Sequence, residues 1–540
     1  MMIIETSWEV CNKMGGIYTV LSSRAREMMS AHKGQVIFVG PLHDDLPQDF
    51  VPSVPELLGP WVDKAQESFP LRTAVGHWAV PGEPAAVLVD FRPLWEERGE
   101  LYFEMWQRYG LEGDKGYGDY DESCLFAIAA ARVMHSLVDA LRPRRTQVMC
   151  IYNEWQTAMG LLYSKALRPE LPTLFITHAT TVGRSIAGNG KDLYAYMPYY
   201  NGDQMAGELG VVAKHAVEKR AAHVSDLFAT VSKLTAAECT QLLERSPLVL
   251  PNGFEGDFVP RGRRYDTARR EARERLREIA QSLTGIEVGE RDVFVSLGGR
   301  YEYRNKGIDL YVESIARLRQ SYRGKRRIFA FVLVPGWVAE PRADLAYLIE
   351  HPEARGTALQ HPTLTHWLHN MQEDATQSHL RHLGLDRVDE RVNLIQVPVY
   401  LTGQDGIVGL SYYQLLCGMD YSVYPSYYEP WGYTPLESIA FGVPTITTRY
   451  AGFGLWAEEE LAGQAEAEAL GVPVSVLART DHNASEVAEA IAQQLERYAT
   501  GKLGTLRDIR SACQRLAERA EWKHFYKHYL NAYKALKKAK

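Results

Sequence analysis

The stretch Tyr427-Tyr428-Glu429-Pro430-Trp431-Gly432-Tyr433-Thr434-Pro435-Leu436-Glu437 gathers residues able to do chemistry. Two carboxylates, Glu429 and Glu437, stand eight residues apart across a predicted loop-to-helix junction. The strand-like run Met419–Tyr424 precedes it. Thr434, Pro435 and Glu437 read as the N-cap, first and third positions of a helix, a capping box. One carboxylate then lies on a loop and the other in the first helical turn, where outward N–H groups favour anions. Carboxylates beside an anion site suit the transfer of a sugar off a phosphate. The capping box alone accounts for Glu437, so Glu429 is the stronger functional candidate.

Three further constellations follow predicted strands. Lys13-Met14-Gly15-Gly16 precedes a helix starting near Ile17. Two glycines let a ligand approach the backbone, and the helix start offers N–H donors to a phosphate. Taken alone the pair reads better as a plain strand-to-helix turn, and neither a dinucleotide fingerprint nor a Walker loop is present. Gly298 to Gly307 carries Arg300 and Lys306, six residues apart. A departing pyrophosphate needs fixed positive charge, which Arg supplies as a planar fork and Lys as a point charge. His178 ends the run Thr173–Thr177, with Arg184 six residues on. A histidine there can donate a hydrogen bond to a sugar hydroxyl or a developing oxyanion, although alone it reads as a satisfied structural residue. His366/His369 and His379/His382 show i,i+3 spacing on a predicted helix, but no Cys or carboxylate completes a ligand set.

These residues need a scaffold. At 540 residues the chain exceeds one hydrophobic core. Its 46% hydrophobic and 24% charged content is ordinary for a globular protein. A net charge of −7 argues against broad nucleic-acid binding. No secretory signal and no apolar window of membrane-spanning length is expected, and six scattered cysteines suggest reduced thiols in the cytoplasm. Predicted strands form two series. The first is Gln35–Val39, Ala86–Val89, Gln147–Ile151, Thr173–Thr177 and Leu227–Val231; the second is Val293–Leu297, Ile328–Val334, Val392–Gln396, Met419–Tyr424 and Val443–Thr447. Alternation with helices predicts an α/β chain of two doubly wound Rossmann-like domains facing a cleft, with parallel sheets covered on both faces. The expected domains are 1–257 and 258–519, followed by a helix over 520–540 that packs back on the first. Residues 338–391 read as a helical insertion, and 261–283 as a solvated helix laced with i,i+4 ion pairs.

Glu5 to Val20, Gly299 to Gly307, and Tyr427 to Glu437 with Gly442-Val443-Pro444 together resemble the glycogen synthases of the animal and fungal type. Weaker similarity runs through Glu154-Trp155, Thr177 to Thr180, Pro251-Asn252-Gly253 and the last helix, nearly the whole length. The resemblance implies the two-domain GT-B glycosyltransferase architecture and transfer of glucose from UDP-glucose to the non-reducing 4-OH of an α-1,4-glucan, with retention. The implied acceptor is glycogen or a maltooligosaccharide. No metal or other cofactor, nucleic acid or membrane is implied, and a homo-oligomer stays open. Carried over, Arg300 and Lys306 hold the diphosphate, helped by Arg184 and the Gly15-Gly16 backbone beside Lys13. Glu429 contacts the donor glucose and Glu437 the ribose, within the Trp431-Gly432-Tyr433-Thr434 segment. His178 lies at the reacting face, Tyr412 stacks on uracil, and Asn252 lines the cleft. The glucose 6-phosphate switch of the family's regulated members uses a dense arginine cluster on a late helix; here the matching stretch Leu506–Leu516 has only Arg507, Arg510 and Arg515, so unregulated or differently regulated activity is expected. Readings that remain beside this one are a glucosyltransferase with a small acceptor and an inactive glucan-binding protein.

Overall fold

Met2–Thr6 (β1) is a strand with every side chain buried, which requires strands on both sides and cover on both faces. In the computed structural model, residues 1–144, 147–465 and 472–539 are described. They fall into two units, Met1–Glu255 with the segment from Ala520 onward, and Gly256–Arg519.

The first unit holds a nine-stranded sheet. Its strands are β1, Val36–Pro41 (β2), Phe50–Pro52 (β3), Thr73–Trp78 (β4), Ala85–Val89 (β5), Val148–Asn153 (β6), Thr173–Thr177 (β7), Leu227–Thr230 (β8) and Leu248–Val249 (β9). They lie in the order β3-β4-β5-β2-β1-β6-β7-β8-β9. From β5 to β9 pairing is parallel, whereas β3 and β4 are antiparallel. This corrects the expectation of wholly parallel sheets: β4 and β5 are joined by the short connection 79–84, which suits a hairpin, whereas parallel pairs need long crossovers.

The second unit holds a six-stranded parallel sheet of Val293–Gly298 (β10), Ile328–Leu333 (β11), Val392–Val397 (β14), Tyr421–Val423 (β15), Thr445–Thr448 (β16) and Val474–Leu477 (β17). Val338–Pro341 (β12) and His366–Leu368 (β13) form a separate antiparallel ribbon. The main sheet runs β14-β11-β10-β15-β16-β17, which is the Rossmann order 3-2-1-4-5-6. The parallel strands of the first sheet follow the same order, extended by β9. The strand order reverses between β1 and β6 in one unit and between β10 and β15 in the other. In open α/β sheets such switch points, beyond the carboxyl ends of the strands, are where ligands bind.

Four other expectations need correction or refinement. The insertion 338–391 is not all helical, because the β12–β13 ribbon lies within it. Buried Arg342 holds that ribbon's surroundings by donating to the carbonyls of Gln360, His361 and Leu364. His366 is therefore on a strand and not on a helix face; its Nε2 is 2.9 Å from the Asp405 carbonyl oxygen. The helix Arg263–Thr284 is not merely solvated. Arg269 and Arg273 each reach buried Asp420 at 2.7 Å. Burial alone would raise that carboxyl's pKa, but the two guanidinium groups hold it below the ordinary value. Tyr120–Leu141 is a helix long and apolar enough to cross a membrane, contrary to the sequence expectation. Its length from Ser123 to Val138 is mostly buried in the first unit's core. The helix Trp522–Ala539 packs on helix Gly16–Ala31. There the Trp522 indole donates to Ser23 Oγ at 2.8 Å, and the Arg24 guanidinium lies 4.6 Å from the Tyr529 ring centre.

Candidate active site

The second switch point is assembled by close contact between two loops. At Gly307, with φ of 71°, a Cβ would come within 2.2 Å of the Pro425 carbonyl oxygen, so only glycine permits this approach. The backbone N–H groups of Tyr427 and Tyr428 donate to the Asn305 carbonyl at 2.9 and 3.2 Å. Lys306, from the loop after β10, forms an ion pair with Glu429, from the loop after β15. Arg300 shares the Lys306 loop but projects outward: its side chain is 64% exposed and pairs with Glu302 at 2.8 Å. Two tyrosines pin this loop, Tyr301 donating to Asp374 at 2.6 Å and Tyr303 lying 2.8 Å from His379 Nδ1.

Beyond Glu429, Gly432 adopts φ of 106° and opens the helix Tyr433–Ala440. Thr434 is thus inside the first turn and not the N-cap, and no side chain caps this helix. The capping box is absent because the left-handed turn at Gly432 starts the helix early. Glu437 Oε1 instead accepts from the Tyr413 hydroxyl at 2.8 Å. Burial raises its carboxyl to about 7. Trp431 is buried edge-on against Phe453, 6.3 Å between ring centres, and Tyr433 and Thr434 are half-buried. Tyr412 lies across Gly298, where a Cβ would stand 3.1 Å from its ring.

The first unit's switch point is furnished differently. Glu9 Oε2 accepts from the N–H groups of Gly15 and Tyr18 at 2.8 and 2.9 Å. The protein's own carboxylate therefore occupies the helix start where the sequence reading put a phosphate. Lys13, Gly15 and Gly16 are exposed, with the Lys13 ammonium 5.7 Å from the Tyr18 ring centre. Just past β6, Glu154 has φ of 67° and ψ of 166°, a region natural to glycine that costs about 1–3 kcal/mol. Its carboxylate accepts from the N–H groups of His178 and Ala179 at 2.7 and 3.1 Å, and from Trp155 at 3.4 Å. Glu218 accepts from Thr177 Oγ1 at 2.6 Å and Thr181 N–H at 3.0 Å, and Glu238 from Thr180 Oγ1 at 2.9 Å. Burial, then the nearby Glu154, raises Glu218 to about 8.

Three buried glutamates thus clasp the segment 177–181 that presents His178. Burial, with Arg24 and Arg184 nearby, lowers the imidazole to about 3, so it is neutral near pH 7. Arg184 is exposed on the helix Thr181–Gly188, and Asn252 is buried after β9. Lys13, Gly15, Gly16, His178, Arg184 and Asn252 belong to the first unit; Arg300, Lys306, Tyr412, Glu429, Trp431 to Thr434, and Glu437 belong to the second. Glu9, Glu154, Glu218 and Glu238 were not singled out from sequence as site residues. Glu154 carried a signal, an acid at a strand end opening a helix. Glu218 and Glu238 come from distant helices and carried none. Among the described residues no group of three His, Cys, Asp or Glu side chains is placed to ligate a metal.

Comparison with known proteins matches these elements to one family. The family model "Glycogen synthase" covers residues 5–341 and 354–540. A glycogen [starch] synthase of Dictyostelium discoideum is 26% identical over 98% of this chain and 66% of its own length. The liver glycogen [starch] synthase of Rattus norvegicus is 25% identical over 98% of this chain and 82% of its own. Among solved structures, the catalytic domain of starch synthase IV from Arabidopsis thaliana, bound to ADP and acarbose, aligns over 100% of this chain and 99% of its own. It does so with a TM-score of 0.57 at 13% identity. An Escherichia coli trehalose-6-phosphate protein bound with UDP-2-fluoro glucose aligns over 99% of both chains, with a TM-score of 0.52 at 11% identity. The fold is that of the GT-B glycosyltransferases, and with both halves of its sequence matched the chain belongs to the glycogen synthase family of glycosyltransferases.

Proposed function

We propose that this enzyme lengthens an α-1,4-glucan by moving glucose from UDP-glucose to the non-reducing 4-OH, with retention at the anomeric carbon. The observation that carries the reading is the Lys306–Glu429 pair at a Rossmann switch point, with Arg300 on the same loop. A leaving nucleoside diphosphate needs preorganised positive charge, and a carboxylate beside it can grip the hexose hydroxyls. In the resting pair Glu429 holds Lys306 in place. As the donor binds, Lys306 turns part of its charge to the diphosphate and Glu429 takes a sugar hydroxyl. The bond from C1 to the diphosphate oxygen breaks, and C1 bonds to the acceptor O4 from the same face. The 4-OH proton passes to the leaving diphosphate oxygen, giving UDP and a glucan one residue longer. Arg300, exposed and held by Glu302, exchanges that partner for phosphate oxygens. Water must be kept from the oxocarbenium-like centre, since hydrolysis wastes the donor.

Glu437 is proposed to meet the ribose, Tyr412 the uracil, and His178 the donor sugar, with Arg184, Asn252 and the Lys13–Gly16 loop also offered to the substrates. No metal or other cofactor is assigned a role. All six cysteines are unpaired and buried, which supports placing the enzyme in the cytoplasm. The test is incorporation of labelled glucose into glycogen from UDP-glucose and from ADP-glucose, followed by digestion with an α-1,4-specific glucosidase. Incorporation from UDP-glucose, fully released by the glucosidase, is the expected result. Transfer only to glucose 6-phosphate or fructose 6-phosphate would favour a small acceptor, and no transfer would favour an inactive glucan-binding protein.

A further inference from the structure

The proton on His178 is placed by groups behind it. Asn153, at the end of β6, donates through Nδ2 to Glu5 Oε1 at 2.8 Å and to the Thr6 carbonyl at 3.1 Å. Both partners only accept. Turning the amide over would aim its oxygen at two acceptors, so the contacts fix which end faces the imidazole. Asn153 Oδ1 lies 3.2 Å from His178 Nε2. An acceptor at that position requires the proton on Nε2. Glu5 is anchored in turn by Arg24, whose Nη2 donates to the same Oε1 at 2.5 Å. All four side chains are buried. With Arg24 and Arg184 adding positive potential to the cost of burial, the imidazole carries a single proton at neutral pH. Nδ1 is then a bare lone pair, with no hydrogen-bond partner among the described residues.

We infer that His178 meets its substrate as a hydrogen-bond acceptor through Nδ1, and that Asn153, Glu5 and Arg24 are positioning residues that fix this tautomer. The role is the reverse of the donor expected from sequence. Its partner is a hydroxyl of a neutral sugar; an oxyanion, which can only accept, is refused at this position. The inference rests on the glucosyl-transfer reading of the site. It also explains why a residue at a reacting face is buried against an uncharged amide and not against a carboxylate. A carboxylate partner would raise the imidazole pKa and bring back a second, donating N–H.

The test is nitrogen NMR of the full-length protein carrying 15N-labelled histidine, at pH 7 without substrate. The His178 signals are identified by their loss in His178→Gln. One protonated Nε2 and one unprotonated Nδ1 are expected. An Nδ1–H tautomer or an imidazolium overturns the inference with no variant needed. In Asn153→Leu the single tautomer should give way to a mixture, and kcat should fall roughly 10–100-fold while KM for the nucleotide sugar changes little. A pure Nε2–H tautomer in a folded Asn153→Leu overturns the positioning role. Glucose transfer by an enzyme whose His178 is the Nδ1–H form sinks this inference and leaves glucan extension standing. Absence of transfer from both UDP-glucose and ADP-glucose removes the substrate role of Nδ1, while the tautomer is still read directly.

Discussion

At the switch point of the second unit Lys306, Glu429 and Arg300 are charged and within reach of solvent. At that of the first, Glu5, Glu154 and His178 are buried, and His178 is uncharged near pH 7. Both sheets share the 3-2-1-4-5-6 strand order around these points. The difference therefore lies in the loops. One site holds its cations in ion pairs with Glu429 and Glu302, partners that a ligand bringing negative charge can replace. The other has already spent its carboxylates on backbone N–H groups, Glu9 on Gly15 and Tyr18, and Glu154 on His178 and Ala179. What remains there suits hydroxyls. Topology supplies the place for a ligand, and the loop residues decide its chemistry.

The largest expected effect strikes the charged point. Lys306→Ala should lower kcat/KM for the nucleotide sugar by about 10²–10³-fold, roughly 3–4 kcal/mol. Because Lys306 and Glu429 act as a pair, adding Glu429→Gln should cost less than the two single losses summed. Initial rates with a glucan primer check both; a Lys306→Ala rate within threefold of wild type would break the contrast.

Next comes the buried point. Glu154→Ala keeps the strained backbone and orphans the N–H groups it served, and should cost about 2–4 kcal/mol. Glu154→Gly loses the same bonds but relaxes the φ of 67°, so its loss should be about 1 kcal/mol smaller. Thermal melts compare the two, and equal midpoints would show that no strain is held there.

A pH series sharpens the comparison from the other side. Glu437 sits at about 7 in the fold against an ordinary 4.5. The folded chain holds a proton that the unfolded chain releases first. Stability from this group is therefore fully present below pH 4.5 and declines as pH rises to about 7, by about 3 kcal/mol. Glu437→Gln still offers an acceptor to Tyr413 and removes the decline. Its melting temperature relative to wild type should rise between pH 5 and pH 8, and a flat difference would show a carboxylate already ionised at pH 5.

The smallest effect expected is on regulation. Of the three arginines in Leu506–Leu516, Arg510 is spent on packing, its guanidinium 5.1 Å from the Tyr265 ring centre. Saturating glucose 6-phosphate should change the rate by less than about twofold, and activation of about fivefold or more would reveal a working allosteric site.

Much of the scaffold was readable because its strands are buried on both faces. Thr173–Thr177 was read to the residue, and Val293–Gly298 and Ile328–Leu333 to within one residue at their ends. The short or antiparallel strands β3, β4, β9, β12, β13 and β17 escaped, since few residues, a glycine in β4, or one open edge left no continuous apolar run. Glu429, Lys306 and Arg300 were visible as charges after strands. The helix start at Gly432 was not, because Thr434-Pro435 gave a competing local signal that a left-handed glycine overrode. The clasp of Glu154, Glu218 and Glu238 was invisible for a different reason: it exists only between segments far apart in sequence.

The last helix gives the first unit an unusual birth order. Trp522 bonds Ser23, Tyr526 lies 2.8 Å from His32 through its hydroxyl, and Tyr529 covers Arg24. All of this arrives after the whole second unit has been translated. During synthesis the early half waits with a guanidinium and an aromatic seat uncovered, while the later half can already close. A nascent chain cut short before residue 520 would leave that seat open to chaperones and proteases, so quality control could reject an unfinished enzyme before it meets a sugar.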